Sequence, residues 1–294
     1  MRKIVYLHVG LHKTGTTSLQ KFLSDNQRLL SKRGVFRLST GLPPNSDRSW
    51  GHHDLAWSLR EGDPHGLWRA ARREADAHKT VLVTSEEFSF IRNAGRYSPV
   101  LDAFQGWQIR VICYLRRQDQ FLESLYNYHV KALGETAPIM SFANKIYARL
   151  DYKKYLDCLS QTFGPEALSV RVYEQTGLRG DIFDDFLSAI GLTDKENFVK
   201  PRQTINAGLS PEGIKLMLEA NRRLQEQPDA LRRERNRILA GHQSATFARH
   251  QVLTCDEQQE FLDRFEQMNA VIAQEYLRRP GPLFPAVCHQ IIRD

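Results

Sequence analysis

Residues Ile4–Val9 (IVYLHV) form a short run of β-prone apolar side chains that stops at Gly10. Soon afterwards an apolar helical period begins and runs through Leu19, Phe22, Leu23, Leu29 and Leu30 to a stop at Gly34. A buried strand passed to a helix through a glycine-bracketed turn is the opening of a βα unit. The unit recurs. Thr80–Thr84 (TVLVT), Gln108–Leu115 (QIRVICYL) and Leu168–Tyr173 (LSVRVY) read as further strands. Helical patterns lie between them at Asp54–Leu59, Leu67–His78, Gln118–Leu133 and Ser141–Phe163, with another at Asp181–Ile190. Strands that alternate with helices imply a mostly parallel sheet covered on both faces.

Beyond residue 200 the strand signal disappears. Ser210-Pro211-Glu212 places a cap before a proline at the first helical position, opening a helix to about Leu224, and Glu257–Leu277 reads as a second long helix. The expected fold is therefore α/β: a three-layer, mostly parallel sheet flanked by helices, with a helical C-terminal third. The 294 residues carry no repeat and no composition break, so one domain over 1–294 is expected, with about 200–294 as its helical extension.

Composition narrows the class. Hydrophobic residues at 41% and charged residues at 26% exclude disorder, collagen and a disulfide miniprotein. Cys113, Cys158, Cys255 and Cys288 are scattered, which suits reduced thiols rather than a disulfide framework or a zinc site. The N-terminal apolar run is too short for a signal segment and no stretch approaches a membrane span, so a cytoplasmic protein is expected. The net charge of +7 hints at an anionic partner without naming it.

The chemistry concentrates in Gly10-Leu11-His12-Lys13-Thr14-Gly15-Thr16-Thr17-Ser18-Leu19, between the first strand and the first helix. A tight turn there aims successive backbone N–H groups at one point, the helix N-terminus adds partial positive charge, and Lys13 adds a full one. Gly10 and Gly15 have the glycine spacing of the nucleotide P-loop GxxxxGK[ST], but Thr16 follows Gly15 and the lysine lies inside the loop at 13. The later lysine of an NTP hydrolase is thus displaced into the loop, which argues against an ordinary NTP hydrolase.

At these residues the chain resembles the sulfotransferase family, whose members have a P-loop NTPase-like fold and transfer a sulfuryl group from 3′-phosphoadenosine-5′-phosphosulfate (PAPS). The stretch HVGLHKTGTTSLQKFL is similar to that family's 5′-phosphosulfate loop. The resemblance implies that Lys13 contacts the phosphosulfate and the bridging oxygen, while Thr14, Gly15, Thr16, Thr17 and Ser18 hold the 5′-phosphate. A second stretch, from Cys113 to Tyr126, resembles the 3′-phosphate motif: Arg116 follows a strand, Ser124 lies eight residues on, and Tyr126 supplies the aromatic. Guanidinium suits the role because its planar fork meets phosphate oxygens bidentately. Arg117 either shares that task or faces solvent. PAPS is the implied donor, adenosine 3′,5′-bisphosphate the product, and no metal is required.

Transfer to a hydroxyl or amine needs a group that takes the acceptor proton. In carbohydrate sulfotransferases a glutamate just after the corresponding strand serves, which makes Glu86 the first candidate here and Glu87 the second. His52 and His53 are rivals because imidazole titrates near neutrality. His12 is expected to be a supporting or acceptor-side contact. A carbohydrate or glycolipid acceptor is the favoured expectation, with Trp50, Trp57 and Trp68 near the mouth or in the core. The segment Lys200–Ser210 is either a loop closing on the donor or a plain connector.

Two other readings stand beside this one. A P-loop kinase or phosphotransferase shares the strand–loop–helix logic, with Thr84-Ser85-Glu86 as its nearest acidic strand end. A non-enzymatic binder of RNA or an anionic surface would use the six arginines of Arg222–Arg237, although these are mixed with Glu226, Asp229 and Glu234 and lack interleaved aromatics. No nucleic-acid partner is expected, and oligomeric state is not legible.

Overall fold

A computed structural model describes residues 2–43, 50–173, 178, 181–201, 208–244 and 251–287. Part of the Thr40–Gly51 loop, residues 202–207 of the Lys200–Ser210 segment, and Cys288 lie outside the described residues.

Five strands form one sheet: β1 (Ile4–His8), β2 (Phe36–Arg37), β3 (Thr80–Thr84), β4 (Gln108–Leu115) and β5 (Leu168–Val172). Their order is β2-β3-β1-β4-β5, and every neighbouring pair is parallel. Helices α1 (Thr16–Asp25) and α2 (Gln27–Lys32) join β1 to β2, and α3 (His53–Glu61) and α4 (Leu67–Ala75) join β2 to β3. After β3 come 3₁₀ turns at Glu86–Phe90 and Ala94–Tyr97, then α5 (Ser98–Ala103). Between β4 and β5 lie α6 (Gln118–Tyr128), α7 (Ile139–Lys145), α8 (Tyr147–Leu150) and α9 (Tyr152–Phe163). The chain ends with α10 (Ile182–Ala189), α11 (Pro211–Arg223), α12 (Pro228–His242), α13 (Cys255–Asp263) and α14 (Glu266–Leu277).

Two compact units emerge. The first, Met1–Arg116 with Tyr152–Gln203 and Ala270–Leu283, contains the whole parallel sheet. Side chains alternate across its strands. Leu82, Ile112 and Tyr114 meet Leu19, Phe22 and Leu23 of α1 and Phe186 and Leu187 of α10 on one face. On the other, Cys113 neighbours Tyr155 of α9, which packs on β4 and β5. The strands are buried on both sides, so they read as near-continuous apolar runs.

The second unit, Arg117–Asp151 with Thr204–Asn269 and Phe284–Asp294, has among its described residues helices and a two-residue antiparallel pair, β6 (Gly208–Leu209) with β7 (Gln243–Ser244). Its core joins Phe121, Leu122 and Leu125 of α6 to Ile214 and Met217 of α11 and Phe261 of α13. Asn127 bonds Leu209 in both directions, its amide donating at 2.8 Å and its carbonyl accepting at 3.0 Å. After Tyr128 the helix loosens into a π turn, His129–Leu133, and the Asn221 amide donates to the Val130 and Glu135 carbonyls at 3.0 Å each. No described helix is long and apolar enough to cross a membrane.

The topology positions the functional edge. From β1 the chain turns toward β2 at one side of the sheet, and from the adjacent β4 it proceeds to β5 at the other. Connections diverging from neighbouring parallel strands open a crevice outside their carboxyl ends. The glycine loop leaves β1 at that point, and Arg116 leaves β4 there.

Candidate functional site

The loop after β1 stays attached to β4 before it turns. Leu11 N–H donates to the Tyr114 carbonyl at 3.0 Å, and Tyr114 N–H donates to the Gly10 carbonyl at 2.7 Å. Gly10 (φ +96°) and Gly15 (φ +75°) then take left-handed backbone, as does Lys13 (φ +63°). Thr14, 1% exposed, closes the turn by donating its hydroxyl to the Leu11 carbonyl at 2.7 Å. Both glycines also stand at close approaches. A Cβ on Gly10 would lie 3.1 Å from Glu86 Cα, and one on Gly15 would lie 3.0 Å from the Tyr173 hydroxyl. Gly15 is the N-cap of α1, which has neither a side-chain cap nor an acid in its first turn. The N–H groups of Thr16, Thr17 and Ser18 therefore lack intrahelical acceptors and carry the positive end of the helix dipole. Nothing anionic from α1 itself competes for that position.

Arg116 closes the cradle from the β4 side. It is buried, and its Nη1 donates to the Lys13 carbonyl at 2.7 Å. The guanidinium carbon lies 5.7 Å from the centre of the Tyr173 ring, and the Tyr152 hydroxyl donates to the Arg116 carbonyl at 2.8 Å. The ends of β1, β4 and β5 thus converge on one basic corner. Ser124 and Arg117 belong to the second unit. Ser124 sits half-buried in α6. The Arg117 guanidinium grips Asp119 with Nε and Nη2 at 2.8 and 2.9 Å, and its Nη1 faces the Pro285 and Ala286 carbonyls at 3.3 Å. Arg117 is therefore buried rather than solvent-facing, and these bonds tie its guanidinium to its own unit.

The end of β3 supplies the carboxylates. Ser85 is fully buried, and its Oγ accepts from Glu87 N–H at 3.2 Å, capping the 3₁₀ turn. The same hydroxyl lies 2.8 Å from His53 Nδ1. Glu86 is half-buried and accepts from the Gln20 amide at 2.6 Å. Glu87 accepts from the Trp57 indole at 2.7 Å and from Arg60 at 2.9 Å, and stands 3.6 Å from His12 Nε2.

His52 has a different place from its neighbour. It is fully buried: Nδ1 accepts from Thr84 N–H at 3.0 Å and Nε2 lies 2.8 Å from the Leu38 carbonyl. Burial, reinforced by the Arg37 guanidinium, pushes its pKa down to about 3. It is a neutral brace between β3 and the chain after β2. Of the tryptophans expected near the mouth or in the core, Trp68 is core, donating to the Leu55 carbonyl at 3.0 Å, while Trp57 is 46% exposed. Trp50 is partly buried and lies under Lys21, 5.5 Å from its Nζ. The basic run 222–237 is largely engaged: Arg232 with Asp229 at 3.1 Å, Arg237 with Glu234 at 2.7 Å, and Arg222 with the Thr136 carbonyl.

No protein-family model matches the chain. An uncharacterized protein of Archaeoglobus fulgidus is 28% identical over 169 residues, which is 57% of this chain and 45% of that relative. The match thus spans just under half of the relative's length. Among solved structures, a sulfotransferase from Alicyclobacillus acidocaldarius is similar with a TM-score of 0.44 and 16% identity, over 80% of this chain and 94% of that one. The sulfotransferase domain from the curacin biosynthetic pathway is similar with a TM-score of 0.39 and 12% identity, over 69% and 78%.

Two residues of the corner belong to no motif in the sequence. Gln20 belongs to the α1 pattern but is 2% exposed and turned to Glu86. Tyr173 reads as the last residue of a strand, yet lies just past β5 between Arg116 and Gly15. A buried amide on an otherwise apolar helix face is the one clue that a search for polar breaks would find.

Proposed function

We propose that the protein transfers a sulfuryl group from PAPS to a hydroxyl or amine of a carbohydrate or glycoconjugate acceptor, by in-line displacement. The observation that carries the reading is the meeting of Lys13 and Arg116. The Arg116 guanidinium donates to the Lys13 carbonyl at 2.7 Å, so a guanidinium and the lysine-bearing loop meet at the uncapped N-terminus of α1. Such a corner suits a donor with several anionic groups.

In this reading the N–H groups of residues 14–18 and the hydroxyls of Thr16, Thr17 and Ser18 hold the 5′-phosphate, while the Thr14 hydroxyl closes the turn, and Lys13 neutralises charge growing on the bridging oxygen as the S–O bond breaks. Arg116 takes the 3′-phosphate. Glu86, steadied by Gln20, accepts the acceptor's proton as the new O–S bond forms. The sulfuryl group leaves as the acceptor's sulfate ester, and the phosphate leaves as adenosine 3′,5′-bisphosphate. No step calls on a metal. His53 and Glu87 support the acceptor side, and His52 braces the strand that presents Glu86.

Calorimetric titration with adenosine 3′,5′-bisphosphate in EDTA, alongside radiolabelled PAPS turnover, tests this. Saturable metal-free binding that Arg116→Ala weakens is the expected result. Tight ATP binding that requires Mg²⁺, with no bisphosphate binding, would assign the corner to phosphoryl transfer instead.

A further inference from the structure

Glu87 stands beside the proposed base, and its carboxylate gathers side chains from separate segments. Oε2 accepts from Trp57 Nε1 and from Arg60 Nη2, both on α3. Oε1 lies 3.6 Å from His12 of the glycine loop. The Trp57 ring stacks against His53, with centroids 5.7 Å apart and planes inclined by 29°. The Arg60 guanidinium lies 5.2 Å over the Phe90 ring, which His12 meets at 4.9 Å.

Trp57 and Phe90 nevertheless remain 46% and 42% exposed. An indole whose N–H is held and whose surface is open has its orientation set before a ligand arrives, so little side-chain entropy is lost on binding. A phenol-sized acceptor is best held in a closed apolar pocket. Half-exposed aromatic rings, each backed by a neighbour and bordered by a carboxylate and a guanidinium, suit a ligand that alternates apolar CH faces with hydroxyl groups. That description is a sugar ring.

We propose that Trp57, Phe90 and Arg60, pinned by Glu87, are the acceptor-recognition surface, on which a sugar lays its CH face against the Trp57 indole while its hydroxyl reaches Glu86. The proposal rests on the sulfuryl-transfer reading and deepens it. Glu87 is then a positioning residue acting through Trp57 and Arg60, and the proton goes to Glu86.

The test uses the full chain with radiolabelled PAPS and three probes: chondroitin tetrasaccharide, cellotetraose and p-nitrophenol. Sulfation of a tetrasaccharide is expected. Trp57→Ala should raise that acceptor's KM about five- to tenfold, as the loss of an aromatic contact implies, with bisphosphate affinity unchanged. Glu87→Gln should move acceptor KM in the same direction and leave bisphosphate affinity alone, and Trp57→Phe should recover part of the loss. Tetrasaccharide sulfation with an unaltered acceptor KM in Trp57→Ala and Phe90→Ala would overturn the recognition surface. Sulfation of p-nitrophenol alone would overturn the acceptor class while leaving the donor reading intact. Failure of the wild-type chain to bind bisphosphate would remove the donor reading, and this inference with it.

Discussion

The amide of Gln20 donates to Glu86 Oε2 across 2.6 Å. Helix α1 therefore does two jobs: its first turn frames the anion cradle and its second turn holds the carboxylate proposed as base. Because the two functions share one rigid element, donor and base are set in register before either substrate binds. Glu86→Gln is expected to lower kcat by about 10²–10⁴, the usual contribution of a general base. Gln20→Leu should lower kcat by about tenfold through misorientation of Glu86, with bisphosphate affinity unchanged. Steady-state turnover with both substrates saturating checks both, and near-wild-type kcat in Glu86→Gln would reassign the base.

Lys13 combines a functional charge with a strained backbone. At φ +63° an L-residue carries a cost that glycine does not. Lys13→Gly should therefore leave unfolding stability within about 1 kcal/mol of wild type, since relief of strain offsets the greater freedom of the unfolded chain. Turnover should nonetheless collapse because the ammonium is gone. Urea unfolding paired with a PAPS assay reads the two effects separately. A large stability loss would mean that Lys13 is there for packing rather than for the donor.

Arg116 and Arg117 are sequence neighbours with separate occupations. Arg116→Lys keeps a charge but loses the fork, and should weaken bisphosphate binding about tenfold or more while unfolding stays close to wild type. Arg117→Ala strands the Asp119 carboxylate, which is 1% exposed, and should destabilise the second unit by about 3–5 kcal/mol. Calorimetric titration and denaturant unfolding on both variants distinguish donor contact from internal brace.

How far these elements were legible depends on what set them. β1, β3, β4 and β5 announce themselves because strands buried on both faces read as unbroken apolar runs between punctuating residues. β2 does not, since Phe36–Arg37 is too short to carry any period. The stretches 17–34, 141–163 and 257–277 each read as one helix. The structure divides them at Asn26, at Ile146 and Asp151, and at Arg264–Phe265. None of these breaks is marked by glycine or proline, so the apolar period runs through them and only tertiary packing places the bend. The glycine loop and the Ser85-Glu86-Glu87 strand end were legible because their chemistry is local. The contrast between His52 and His53 was not, because burial of one ring and partial exposure of the other is decided by β2 and β3, far along the chain from both.

That burial has a consequence for pH. His8 and His52 are both enclosed, with pKa values pushed by burial down to about 3. His8 Nδ1 pairs with Thr84 Oγ1 at 2.8 Å, and its ring meets the edges of Tyr114 and Phe186. In the unfolded chain each imidazole titrates near its ordinary value of about 6.5. Between those values the unfolded state binds more protons than the folded one, so stability falls as pH falls through the window and is fully present above it. Each histidine should cost about 1.4 kcal/mol per pH unit below 6.5. Urea unfolding at pH 7.5, 6.5, 6.0 and 5.5, above the main carboxylate range, should show a steepening loss from about pH 6.5 downward. His52→Gln should be less stable than wild type at pH 7.5, since it disturbs the bonds to Thr84 and Leu38, yet its loss on acidification should be about half as steep. An unchanged slope in His52→Gln would mean that this imidazole is already protonated in the folded protein, and the brace between β3 and Leu38 would have to be reassigned.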